Sequence, residues 1–251
     1  MEIVKLHCLG NDYLVVGEEA QQYSLPALAE ALCRQRQGAG GDGLIVLSPG
    51  PPGRRRMELY NSRGMRVEPG PSALRCAGNF LGAGSWELDT GTRRQRVDVR
   101  EKDTILWYPP PVFVGEYQIG CDHHGHLVNL FQRYFVTFVH QLRDLNLQIH
   151  GQALDRYFSG IDIVFTRDGE AIEARIWRQG RGEIPGCGAG ACAAAATLLR
   201  LGKWREPMEI TMAGGRAVMT LDRQGRFVQQ VAVERVLEAQ VNETLLWACK
   251  E

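Results

Sequence analysis

The sequence has no surplus of charge of either sign, since Lys plus Arg and Asp plus Glu each number 29. No global field is available to hold nucleic acid or a membrane surface. It also lacks any apolar run approaching membrane-spanning length, and no basic and apolar leader precedes the strand-like Ile3-Val4-Lys5-Leu6. A soluble, unprocessed protein is expected. Seven cysteines, at positions 8, 33, 76, 121, 187, 192 and 249, are odd in number and irregularly spaced, which argues against a disulfide framework and fits a reducing cytoplasm. Aromatic residues make up only 8%, and the tryptophans at 86, 107, 177, 204 and 247 are scattered, so they read as core or rim. What is plentiful is apolar content, 44% over 251 residues, enough for one large domain or two modest ones.

Periodicity and turn residues divide the chain into two similar halves. The first reads as strands 2–7 and 13–16, helix 25–36, strands 43–48 and 57–61, helix 71–84, then strands near 96–100, 104–108 and 112–118. The second reads as strands 127–131 and 134–140, helix 151–157, strands 161–166 and 172–178, helix 188–201, then strands 207–212, 216–222 and 227–233. Segment 241–249 reads as either a strand or a short helix. Each half pairs many strands with one helix rich in small residues, so the expected fold is α+β. In it, two pseudo-symmetric halves (1–118 and 119–251) each wrap a mostly antiparallel sheet round a central helix, with the active-site cleft between them.

The densest chemical signal is Gly186-Cys187-Gly188-Ala189-Gly190-Ala191-Cys192, which opens the alanine-rich run to Leu201. A thiol at a helix entrance lies among unpaired backbone N–H groups, which favour a thiolate and can bind a carboxylate. Proton abstraction is one reading, and close packing around a small buried Cys187 is the other. Gly38-Ala39-Gly40-Gly41-Asp42-Gly43 satisfies G-x-G-x-x-G literally, but it follows a helix and precedes a strand. A dinucleotide site needs the reverse order.

Several segments taken together resemble diaminopimelate epimerase and its wider cofactor-independent racemase family. They are Lys5-Leu6-His7-Cys8-Leu9-Gly10-Asn11-Asp12-Tyr13, Gly38 to Leu44, Leu59-Tyr60-Asn61-Ser62-Arg63-Gly64, Arg75-Cys76, Gly182-Glu183, and Cys187 to Ala193. The resemblance implies two thiols facing each other across a substrate α-carbon, one removing a proton and the other delivering one. No pyridoxal phosphate, other cofactor or metal is implied, and the α-carboxylate is held by backbone N–H groups at Gly188 and Ala189 and at the first helix entrance. A homodimer is a further expectation from it. Asn11 and Asn61 match positions that contact substrate.

The departures carry as much information. Where the family has its first catalytic cysteine this chain has Gly70, followed by Pro71, which lacks an N–H but suits a first helical position. Aligning His123-His124-Gly125-His126 with the family's Gly-Asn-Pro-His segment places His124 at a substrate asparagine. A later substrate asparagine aligns with Asp162, and the Glu-Arg pair that grips the far end of diaminopimelate aligns with Arg178-Gln179. Reversing charge at Arg178 disfavours diaminopimelate itself.

His124 is therefore the leading replacement acid/base, with His7 and Glu68 as weaker candidates. A metal site from Cys121, His123, His124 and His126 is disfavoured, because neighbours on a strand point to opposite faces. The expected function is proton transfer at the α-carbon of an amino acid or related carboxylate by Cys187, partnered by His124 or acting on one face. The alternative is a non-catalytic protein that binds a small ligand or a protein partner.

Overall fold

Alternation of side chains between two faces sets most of the chain into strands, as in Glu2–Cys8, where Val4, Leu6 and Cys8 are buried on one face and Ile3 is buried on the other. The computed structural model describes residues 1–101, 103–167, 172–247 and 249–250. It divides into a unit of residues 1–106 with 232–251, and a unit of residues 107–231.

The first unit contains β1 (Glu2–Cys8), β2 (Asn11–Val16), α1 (Leu25–Cys33), β3 (Gly43–Pro49), β4 (Arg54–Asn61), β5 (Arg66–Val67), α2 (Pro71–Leu81), β6 (Gly84–Asp89), β7 (Arg94–Arg100) and β8 (Asp103–Trp107). The second contains β9 (Val112–Ile119), β10 (His123–Asn129), β11 (Arg133–Phe138), α3 (Leu147–Asp155), β12 (Asp162–Arg167), β13 (Ile172–Arg178), β14 (Gly182–Ile184), α4 (Gly188–Arg200), β15 (Met208–Met212), β16 (Gly215–Leu221) and β17 (Phe227–Ala232). β18 (Glu234–Gln240) and α5 (Glu243–Trp247) then return to the first unit.

Both units repeat one α+β topology. In the first, β1 pairs antiparallel with β2, β2 parallel with β3, β3 antiparallel with β4, and β4 parallel with β6, which continues antiparallel through β7 to β8. In the second, β10, β11, β12, β13, β15, β16 and β17 follow in the same senses. Each sheet packs one small-residue helix on a face, α2 on β1, β2 and β7 and α4 on β10, β11 and β12. α1 and α3 cover apolar clusters of their own. In α4, Ala189, Ala191 and Ala193 to Ala196 are all buried, and a β-carbon on Gly190 would come within 3.2 Å of Ile176. Small side chains here let the helix approach the sheet closely.

Three sequence expectations change. The boundary expected at 118/119 moves to 106/107, and the last strand leaves the second half, because β9 pairs with β10 while β18 pairs with β1. β6 and β18 were not expected. β18 is exposed along its whole length, so it carries no apolar alternation to reveal it. α3 starts earlier than residue 151, since the Asn146 side chain accepts the Ile149 N–H and caps it. Among the described residues no helix is long and apolar enough to cross a membrane.

β10 and α3 are joined by His123, whose Nε2 lies 2.9 Å from His150 Nδ1, with Phe165 against its ring and Asp122 nearby. Burial, and then His150, lower the His123 pKa below its usual 6.5. The folded chain therefore binds fewer protons than the unfolded chain just below that pH. The stability that the neutral His123 contributes is fully present above about pH 6.5 and is lost as the pH falls below that value through the lower folded-state pKa. Melting temperature should drop between pH 7.5 and 5, and His123→Gln should flatten the slope; an unchanged slope would contradict the assignment.

Candidate active site

α4 begins where the extended backbone of Cys187 (φ −149°, ψ 111°) turns into the helix. Its Sγ accepts the Gly190 N–H at 3.3 Å, so the thiol is the cap of its own helix. The Cys187 N–H donates to Met212 Sδ at 3.5 Å, and the Cys187 carbonyl accepts the Ala191 N–H at 2.9 Å. Cys187 is thus held at its backbone N–H, its carbonyl and its sulfur. Gly188 and Ala189 follow in the first turn, whose N–H groups have no partner within a helix and suit an anion. Gln229, fully buried, donates to the Gly188 carbonyl at 2.8 Å and accepts from the Tyr108 hydroxyl at 2.7 Å.

Two strand ends bring further groups to the sulfur. Tyr134 on β11 lies opposite Asp162 on β12, and its hydroxyl is 3.8 Å from Cys187 Sγ. Arg178, the last residue of β13, places Nη2 4.0 Å from the same atom. Its guanidinium also grips Asp162, with Nη2 to Oδ2 at 2.6 Å and Nε to both oxygens at 3.1 Å, while Gln132 donates to Oδ2 at 2.9 Å. Asp162 is 5% exposed, so this ion pair is largely desolvated.

Burial pushes the Cys187 thiol above its ordinary 9.0; Arg178 opposes this, Asp162 adds to it, and the Gly190 N–H and Tyr134 oppose it more weakly. The resting thiol is protonated at neutral pH. For Arg178, burial works against the cation, but the hydrogen bonds from its guanidinium to Asp162 prevail and keep it charged. Tyr134 is held well above 10.0, chiefly by burial and then by the charges of Cys187 and Asp162.

Of the residues expected at the site, Cys187, Asp162, Arg178, Gly188 and Ala189 come together in the second unit. His124 does not join them. It is on β10 about 13 Å along the strand from Val128, the residue opposite Tyr134, at ~3.3 Å per residue. Its exposed ring instead pairs with Glu116 at 2.6 Å. Gly125 beside it has a structural reason: a β-carbon there would collide with the Val136 carbonyl. The residues that sequence reasoning missed are Tyr134 and Gln132; the parallel register of β11 against β12 is what makes them neighbours of Asp162.

In the first unit, Asn11 Nδ2 donates to the carbonyls of Cys8 and Leu9, and Asn61 Oδ1 accepts the Arg63 and Met65 N–H groups. Both asparagines hold their own turns. Glu68 is tied to Arg93, Thr90 and Thr92, and His7 lies 3.2 Å from Glu234. Gly70 occupies the α2 position that Cys187 occupies on α4, and a β-carbon on it would meet nothing within 4 Å. Among the described residues no cluster of three or more His, Cys, Asp or Glu could hold a metal ion.

The sequence model of the family described as Diaminopimelate epimerase matches residues 120–236. A diaminopimelate epimerase of Sphingopyxis alaskensis is 27% identical over 95% of this chain and 96% of its own. Among solved structures, a phenazine biosynthesis protein of the PhzF family from Enterococcus faecalis superposes with a TM-score of 0.74 at 10% identity, covering 96% of this chain and 98% of that one. A predicted epimerase from Pseudomonas aeruginosa gives 0.70 at 18% identity, with 96% and 98% covered. The structural likenesses concern the fold.

The ion pair makes a separable prediction. Arg178→Gln leaves the buried Asp162 carboxylate without its cation and should destabilise the chain by about 3 kcal/mol in urea unfolding. Adding Asp162→Asn should recover most of that loss. A double variant no more stable than Arg178→Gln would show that the pair is not what the site depends on.

Proposed function

We propose that the chain is a diverged member of the diaminopimelate epimerase family with isomerase-type activity, transferring a proton at the α-carbon of an amino acid or related carboxylate with Cys187 as its single thiol acid/base and no cofactor; its sequence likeness to diaminopimelate epimerases supports this. The observation that carries this reading is the cap geometry of α4, where the sulfur and the first-turn N–H groups share one helix end. A carboxylate seated on the Gly188 and Ala189 N–H groups puts its α-carbon beside Sγ. Those N–H groups then meet the negative charge that grows on the carboxylate as the α-carbon gains carbanion character.

The step runs in either direction on one face. The S–H bond breaks as a C–H bond forms, leaving a thiolate; in reverse the thiolate takes the α-proton. Arg178 and the Gly190 N–H stabilise that thiolate. Gly70 has no side chain to carry a second proton, so one-face isomerisation, elimination, cyclisation or stereoselective protonation fits better than two-base racemisation. Diaminopimelate is not the expected substrate. Arg178 is balanced by Asp162, so a distal ammonium meets no carboxylate of its own. A second reading, a non-catalytic protein that binds a small carboxylate, draws on the burial that keeps Cys187 protonated.

Incubation in D₂O with a panel of amino acids and related carboxylates separates the two readings through loss of the α-proton. Cys187→Ser keeps an oxygen able to cap the helix, so it should fold and yet lower exchange about 100-fold or more. Exchange with no panel member, or an unchanged rate in Cys187→Ser, would favour the non-catalytic reading.

A further inference from the structure

We propose that Tyr134 is a positioning residue for Cys187: its phenol donates to the sulfur as the thiolate forms, and with the Gly190 N–H it makes a two-donor cradle that sets the pH at which the thiol gives up its proton. This rests on the reading of Cys187 as the acid/base. Tyr134 is 2% exposed, and among the described residues Cys187 Sγ is the hydrogen-bonding group within its reach, at 3.8 Å. Tyr108, the other buried phenol near this helix end, is already satisfied by Gln229 at 2.7 Å. A buried hydroxyl whose one long contact is to a thiol gains most when that thiol becomes an anion, because hydrogen bonds to charged acceptors are shorter and stronger.

Arg178 is the competing explanation, and its geometry distinguishes it. Its Nε and Nη2 are committed to Asp162 at 2.6 to 3.1 Å, so approaching the sulfur would stretch stronger bonds. Tyr134 has no such tie. Gly190 is locked in helical backbone against Ile176 and Val164, which leaves the phenol as the donor free to follow the developing charge. Burial keeps the phenol protonated well above its ordinary range, so it remains a donor while the thiol titrates.

The test is the titration of Cys187 in the full chain, read as the ultraviolet thiolate absorbance that is lost in Cys187→Ser. Tyr134→Phe should raise the midpoint by roughly one pH unit, a tenfold loss of thiolate at a fixed pH below it. An unchanged midpoint in a folded Tyr134→Phe chain overturns the proposal. If that variant does not fold, the chain produced with 3-fluorotyrosine, a stronger donor, should titrate at lower pH; no movement there overturns it equally. Neither readout needs turnover. A Tyr134-dependent midpoint without α-proton exchange sinks the catalytic reading alone, whereas exchange with a Tyr134-independent midpoint sinks this one alone.

Discussion

The hydrogen bond from the Gly190 N–H to Cys187 Sγ ties the start of α4 and the placement of the reactive atom into one constraint. The helix cannot shift along its axis without moving the sulfur, and the sulfur cannot rotate away without uncapping the helix. Close packing adds to this, because Gly190 sits within a few tenths of an ångström of excluding any larger residue. Burial, the approach of Arg178 and the approach of Tyr134 all follow from a helix end pressed onto the ends of β11, β12 and β13. α2 shows what remains when the thiol is removed. Gly70 keeps the extended cap backbone and accepts the Leu74 N–H at 3.1 Å, while Pro71 pre-sets the first helical turn.

The repeated topology lets the two units be compared residue by residue. The first pair of the parallel ladder is Tyr13 with Gly43 in one unit and Tyr134 with Asp162 in the other. Asn61 pairs with Gly43 in the first and precedes Gly70 by the same number of residues as Arg178 precedes Cys187. Asn11 likewise corresponds to Gln132. One unit therefore spends these positions on asparagines that close turns. The other spends them on a desolvated ion pair with an amide donor beside a thiol. Such a pair is a poor investment for stability alone, since its desolvation largely offsets its Coulomb attraction. Its value is in placing charge next to Cys187.

Most of the architecture was legible because apolar alternation and small-residue helices leave strong patterns. α2 and α4 begin at the residues expected from Pro71 and Gly188, and β3 and β12 carry the apolar runs Leu44 to Leu47 and Ile163 to Phe165. What escaped had no pattern to offer. β18 is held by backbone pairing to β1 with every side chain exposed, and Leu246 and Cys249 beyond it join the first unit's core. At the site, Cys187 was legible from its glycine-rich helix entrance, and Asp162 and Arg178 as departures at aligned positions. Tyr134 was not, because its importance lies in the register of β11 against β12, which a single sequence does not state. Nor does a single sequence state the register that sets Val128, rather than His124, opposite Tyr134.

The balance of charges at the sulfur bears on what one thiol can do. Arg178, 4.0 Å from the sulfur, favours the thiolate by Coulomb attraction. Asp162, bound to the same guanidinium, cancels part of this, and burial carries the thiol upward beyond what is left. On the proposed reading, a plain carboxylate at Gly188 and Ala189 would add another anion and keep Cys187 protonated, which suits delivery of a proton to a carbanion-like or enol-like centre. A free amino acid also brings an α-ammonium, which both acidifies the α-proton and favours the thiolate, and so suits removal. On the proposed reading, the charge on the group at the α-carbon, more than the identity of the distal side chain, sets the direction in which this thiol works.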